Sequence, residues 1–211
     1  LALGKSSGTS YLGFLNGGTH VGFVGYADQL VVGGASNEFA IRSQDDLLFA
    51  AGGNTEKARI TSNGLTFNGD TAAANALDDY EEGTFTPTLV GASSGAASAY
   101  SQQYGGYVKV GNLVHVFGYL KITNKGSISG AVKVGGFPFP VVNLSNYFHA
   151  PAVGWYTGLS GVTAYGLGFD IAPNSSVFTI TRGTGTSVSS VAPGDITNTF
   201  GIEWAFTYRT E

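Results

Sequence analysis

Phe200-Gly201-Ile202-Glu203-Trp204-Ala205-Phe206-Thr207-Tyr208-Arg209 is the stretch on which the fold turns. Side chains alternate between the two faces of an extended strand, so Phe200, Ile202, Trp204, Phe206 and Tyr208 share one face. Gly201, Glu203, Ala205, Thr207 and Arg209 share the other. That pattern predicts a half-buried antiparallel strand. The same period runs through residues 113–123, where Val114, Val116, Gly118, Leu120 and Ile122 oppose Leu113, His115, Phe117, Tyr119 and Lys121. Here both faces carry apolar groups, the expectation for a sheet packed on its own core and on another subunit. Residues 177–182 repeat the alternation. With about eight turn-punctuated strands, residues 85–211 read as a β-sandwich or jelly-roll-like head domain.

Upstream the texture changes. Residues 70–84 join Asp70-Thr71-Ala72-Ala73-Ala74-Asn75-Ala76-Leu77, able to form a helical turn, to the acidic cluster Asp78, Asp79, Glu81 and Glu82. They read as a linker between two domains. Residues 1–69 read as short strands at 9–15, 19–25, 29–32, 38–42, 46–51 and 57–61, with Asn16-Gly17-Gly18 as a hairpin turn signal. Each strand has only two or three large apolar side chains, too few for a core of its own. Identical chains winding around one axis would supply the missing partners and leave no free edge. A small monomeric sandwich of the same strands is the other reading. The strand-like start at Leu1 suggests the C-terminal part of something longer.

Composition agrees with an all-β binding or structural protein. Of 211 residues, 43% are hydrophobic, enough for a core, and only 11% are charged against a usual quarter. The 33 glycines and abundant Ser, Thr and Asn keep the chain soluble through hydroxyls and amides. Cysteine is absent, which excludes disulfides and thiolate metal sites and suits assembly in a reducing cytoplasm. The net charge is −4, with ten acidic and four basic residues before position 91 and four and six after it. The scattered lysines and arginines form no stripe for nucleic acid. No apolar run is long enough to insert into a membrane, and no signal peptide is visible.

Three stretches carry a resemblance. Glu56-Lys57-Ala58-Arg59-Ile60-Thr61-Ser62-Asn63-Gly64 resembles the segment that closes the repetitive shaft of bacteriophage tail fibres. Leu77-Asp78-Asp79-Tyr80-Glu81-Glu82-Gly83-Thr84-Phe85-Thr86-Pro87 is similar to the linker and first strand of a tail-fibre C-terminal domain, and is the most specific of the three. Tyr107-Val108-Lys109-Val110-Gly111-Asn112-Leu113-Val114, with Gly136-Phe137-Pro138-Phe139 downstream, resembles the next landmarks of that domain. The likeness is good over residues 55–145. It implies a homotrimer, a slender intertwined trimeric β shaft over residues 1–69 and a distal head that touches the host. The expected setting is a virion: a fibre assembled in the host cytoplasm, joined to upstream fibre and tail proteins, and extracellular when it acts. Its partner would be a bacterial cell-surface glycan or an outer-surface protein. Many such fibres carry a self-cleaving chaperone domain after the shaft, and no such segment follows here.

Nothing in the sequence looks catalytic. His20, His115 and His149 stand in separate strand contexts, without metal-ligand spacing or a nucleophile motif. No cofactor or metal is expected. The clustered acids read as a solvated segment rather than a glycosidase pair. An enzymatic alternative, a tailspike-like depolymerase, would need acids that meet across subunits, such as Asp170 of one copy with Glu203 of the next. A third reading is a structural cap that binds nothing.

The receptor-binding candidates lie in the loop-like stretch from Asn143 to Gly158. Tyr147, His149, Trp155 and Tyr156 offer ring faces for sugar C–H surfaces, while Asn143 and Asn146 offer amides for hydroxyls. Phe148 and Trp155 read equally well as core, and the tyrosines as subunit contacts. Asn124 and Lys125 in one loop, and Asn174 in another, are further candidates.

Overall fold

The computed structural model describes residues 11–145, 151–160 and 166–211. Its elements are almost all antiparallel strands, and the chain divides into two compact units at Asp78/Asp79.

In the first unit, Gly17 and Gly18 both hold positive φ (56° and 85°), the backbone that a two-residue hairpin turn demands and side-chained residues avoid. They join β1 (Tyr11–Asn16) to β2 (Thr19–Tyr26), with Asn16 opposite Thr19. A single helical turn, α1 (Ala27–Leu30), leads on to β3 (Phe39–Ser43), completing a sheet in the order β1-β2-β3. The strand expected at 29–32 is therefore not formed. Ala27 and Leu30, three apart and so on one helical face, are both buried, and the Leu30 carbonyl accepts from Arg42 Nη1 at 3.0 Å.

A second small sheet comprises β4 (Leu47–Ala50), β5 (Glu56–Thr61) and β6 (Gly64–Phe67). Sequence reading missed β6, which the turn Ser62-Asn63 folds back onto β5. Arg59 ties this sheet to the preceding loop, pairing with Glu56 at 2.6 Å and Asp46 at 2.8 Å. Among the described residues, the buried apolar cluster of the unit is Phe23, Ala27, Leu30 and Ala40.

The junction holds one 3-10 turn, Ala73–Asn75. The acidic run does not remain a linker: β7 (Tyr80–Phe85) is already the edge strand of the second unit. The cause is Lys109, which lies opposite Glu81 and is only 6% exposed. Its ammonium pairs with Asp79 and with Glu81 (3.4 Å), and sits 5.4 Å from the centre of the Phe139 ring. Two of the four acids thus neutralise a buried cation, which would otherwise be costly to hold there.

The second unit continues with β8 (Thr88–Gly91), β9 (Ala99–Val110), β10 (Leu113–Asn124), β11 (Val132–Gly135), β12 (Trp155–Leu159), β13 (Leu167–Asp170), β14 (Phe178–Gly183), β15 (Val188–Ser190) and β16 (Ile196–Arg209). One sheet runs β12-β16-β10-β9-β7, the other β13-β14-β11-β8, with β15 paired to β14. Phe200, Ile202, Trp204, Phe206 and Tyr208 all point inward, on the face that the alternation assigns them. Phe169 and Phe178 of the other sheet meet them, with ring centres 5.5 Å (Phe169–Phe206) and 5.7 Å (Phe178–Phe206) apart. Phe137 stacks on Phe178 at 4.1 Å, in the middle of one continuous core. Tyr208 is fully buried, and its hydroxyl donates to the Phe139 carbonyl at 2.9 Å.

Candidate functional site

The inward residues of β16 and β10 leave their outward neighbours on the opposite face of the same sheet, and that face is rich in exposed rings. Register places side chains in rows across the strands. In one row Trp155 of β12 lies beside Glu203 of β16, Glu203 beside Tyr119 of β10, and Tyr119 beside Tyr104 of β9. The next row is Ala205, Phe117, Gly106 and Thr84. Beyond it His115, hydrogen-bonded to Thr207 at 3.0 Å, and then Leu113, Val110 and Tyr80 carry the face to its far end.

Two halves differ in chemistry. Around Leu113, Val110 and Phe117, each 39–49% exposed, the face is mainly apolar. Around Trp155 (41% exposed) and Tyr104 (52% exposed), rings alternate with a carboxylate. The Tyr119 and Trp155 rings meet edge to face at 5.7 Å. A hollow of about 250 Å³ is bounded by Tyr119, Trp155 and Glu203, and an adjoining one of about 500 Å³ by Tyr104, Phe117, Tyr119 and Glu203 with backbone from Gly118, Gly154 and Trp204. The small residues Gly154 and Ala205 line the larger hollow. The Glu203 carboxylate makes no hydrogen bond or ion pair among the described residues, although it borders both hollows.

The candidates read from sequence distribute unevenly. Trp155 is on the outer face rather than in the core, 41% exposed. Tyr156, one position on, turns inward and packs against the core. Asn143 is exposed beside the buried Val141 and Val142, while Asn146, Tyr147 and His149 lie outside the described residues. Lys125 is spent on the fold: its ammonium donates to the carbonyls of Pro193 (2.9 Å) and Ile196 (3.1 Å). Asn124 accepts from the Gly126 amide at 2.9 Å. Asn174 is exposed, at a left-handed turn with φ of 55°. Asp170 is on β13, in the other sheet from Glu203, so one copy does not pair these acids.

Tyr104 and Tyr119 were not singled out as site residues in the sequence, although the two-faced apolar alternation of β10 already pointed to a second contact face, read there as one packed on another subunit. Among the described residues no group of three or more His, Cys, Asp or Glu could hold a metal, and no helix is long and apolar enough to cross a membrane. Compared with known proteins, the chain matches no family model and no curated protein.

Proposed function

We propose that this chain is the distal end of a bacteriophage tail fibre: a trimeric shaft segment followed by a jelly-roll-like head that attaches the virion to a bacterial surface, through a glycan. The observation that carries the reading is the imbalance of the first unit. Among its described residues, fifteen large apolar side chains stay exposed, including Phe14 (50%), Phe39 (71%) and Ile41 (55%), against a buried cluster of four. Monomeric proteins rarely leave so many large apolar side chains of one small unit in water, and strands of identical copies would cover them. The three sequence stretches described above support the phage setting. The apolar half of the head's outer sheet face supports contact between copies, and its ring-rich half supports contact with sugar. Three identical heads would multiply weak individual contacts.

The test is the mass of the intact chain in solution. Sedimentation at three times 21.7 kDa is expected, and a stable single copy would remove the shaft and the avidity together. Binding of the same protein to bacterial cells then checks attachment, and an unchanged mass of host polysaccharide after incubation distinguishes a receptor-binding head from a depolymerase.

A further inference from the structure

Among the described residues Lys109 is the one charged residue that is buried, and two carboxylates meet it. Strand register assembles the group. Glu81 of β7 is directly opposite Lys109 of β9, and the Asp79 carbonyl, two residues earlier, accepts from the Gly111 amide at 2.8 Å. The Lys109 ammonium touches the Asp79 carboxylate and is 3.4 Å from a Glu81 oxygen. Its other neighbours are rings: Phe139 at 5.4 Å, itself met edge-on by Tyr107 at 5.3 Å. The lysine side chain is 7% exposed while Asp79 and Glu81 retain 39% and 44%, so the amine is the group shut away from water.

One carboxylate balances one ammonium, yet a second is held within reach. An amine, a carboxyl carbon and a separate proton acceptor are the groups that amide formation requires. Holding the reactants in contact supplies the entropy that free molecules would have to lose. A neutral amide in this place also removes the cost of keeping a cation out of water.

We propose that Lys109 and Asp79 join in an intramolecular isopeptide bond, with Glu81 carrying the proton. A proton first passes from the Lys109 ammonium to the Asp79 carboxylate, giving a neutral amine and a carboxylic acid. The Nζ lone pair attacks Asp79 Cγ and the N–C bond forms. The nitrogen gives one of its two remaining protons to Glu81, which returns it to a hydroxyl on the same carbon; the C–O bond breaks and one water leaves. No oxidant or cofactor takes part, and Glu81 ends as it began. Asp79 is the first residue of the second unit, and β7 is an edge strand held in its sheet by β9 alone. A pull arriving from the first unit would therefore peel β7 away. The cross-link ties its leading end to β9, in a sequence with no cysteine for a disulfide. This chemistry stands apart from the attachment reading.

The experiment is the mass of the intact chain after denaturation, followed by proteolysis and tandem mass spectrometry. The parent is expected to be one water lighter than its sequence mass, with a branched peptide joining Asp79 to Lys109 and no tryptic cleavage after Lys109. Lys109→Arg keeps the positive charge without the amine, and Asp79→Ala lacks the carboxyl, so both should have the full sequence mass. Glu81→Gln keeps both reactants and should slow bond formation about a hundredfold in a time course of cell-free synthesis. Circular dichroism of the variants separates lost chemistry from lost fold, and the parent mass decides the matter even where a variant fails to fold. A parent at full sequence mass overturns the proposal. So does a water lost within a linear peptide, or a folded Glu81→Gln variant that reacts as fast as the parent.

Discussion

The two units of this chain spend similar residues in opposite ways. In the second, alternating strands bring Phe137, Phe169, Phe178, Phe200 and Phe206 together in a core closed on itself. In the first, Phe14, Phe39, Phe49 and Phe67 are each about half exposed or more, on sheets of three strands. The difference teaches that strand propensity and burial are separate matters. Hydrogen-bonded ladders form in both units, but only the second can place a second layer over its apolar face. A three-stranded sheet with one uncovered face is marginal by itself, and a copy of the same sheet is the simplest cover.

The comparison can be broken most directly at Phe178. It is fully buried, stacked on Phe137 and edge-on to Tyr208 at 5.5 Å, so Phe178→Ala should cost about 3–5 kcal/mol in chemical denaturation of the intact chain. A somewhat smaller loss is expected from Gly118→Ala. A methyl group there would come within 2.5 Å of the Trp204 ring and 2.8 Å of the Tyr104 carbonyl, overpacking worth about 1–3 kcal/mol, read as a lower midpoint of the same transition.

Phe39→Ala sharpens the contrast. In a solitary chain this 71% exposed ring should matter by less than about 0.5 kcal/mol, whereas buried between copies it should cost more than about 1 kcal/mol and make unfolding depend on protein concentration. The trimeric reading predicts the second result. The smallest effect is expected from acid. The Arg59 hydrogen bond holds the Glu56 carboxyl below its ordinary value, and the Ala72 amide, with Asn75, does the same for Asp70. Groups depressed in the folded state stabilise it above their unfolded values, and that contribution fades as pH falls through the folded ones. Melting of the intact chain followed from about pH 6 to about pH 3 should therefore decline less in a Glu56→Gln, Asp70→Asn variant.

Much of the second unit was legible because its strands alternate cleanly: the inward face of 200–209 could be written down residue by residue. The first unit was less so. Gln29-Leu30-Val31-Val32 has strand-like residues, yet the buried spacing of Ala27 and Leu30 makes a helical turn there, a tertiary effect that local preference does not contain. The acidic run read as solvated because its counter-charge, Lys109, is far along the chain and only strand pairing brings it near. The candidate site was half legible. Trp155 was named, but its neighbours Glu203, Tyr119 and Tyr104 come from three other strands, and register alone makes them a row. Lys125 looked available because its exposed position in sequence says nothing of the two carbonyls that hold it.

The place of β16 has a consequence for synthesis. It comes after every other strand of its unit in the chain, yet it lies between β12 and β10. A nascent polypeptide that has emerged only as far as residue 195 therefore has β10-β9-β7 on one side and β12 stranded on the other, with nothing between them. The sheet closes only once Phe200 to Tyr208 have been delivered, and pairing over such long sequence separations is slow. A copy that lacks those residues has no strand to join β12 to β10, and so no continuous outer sheet face.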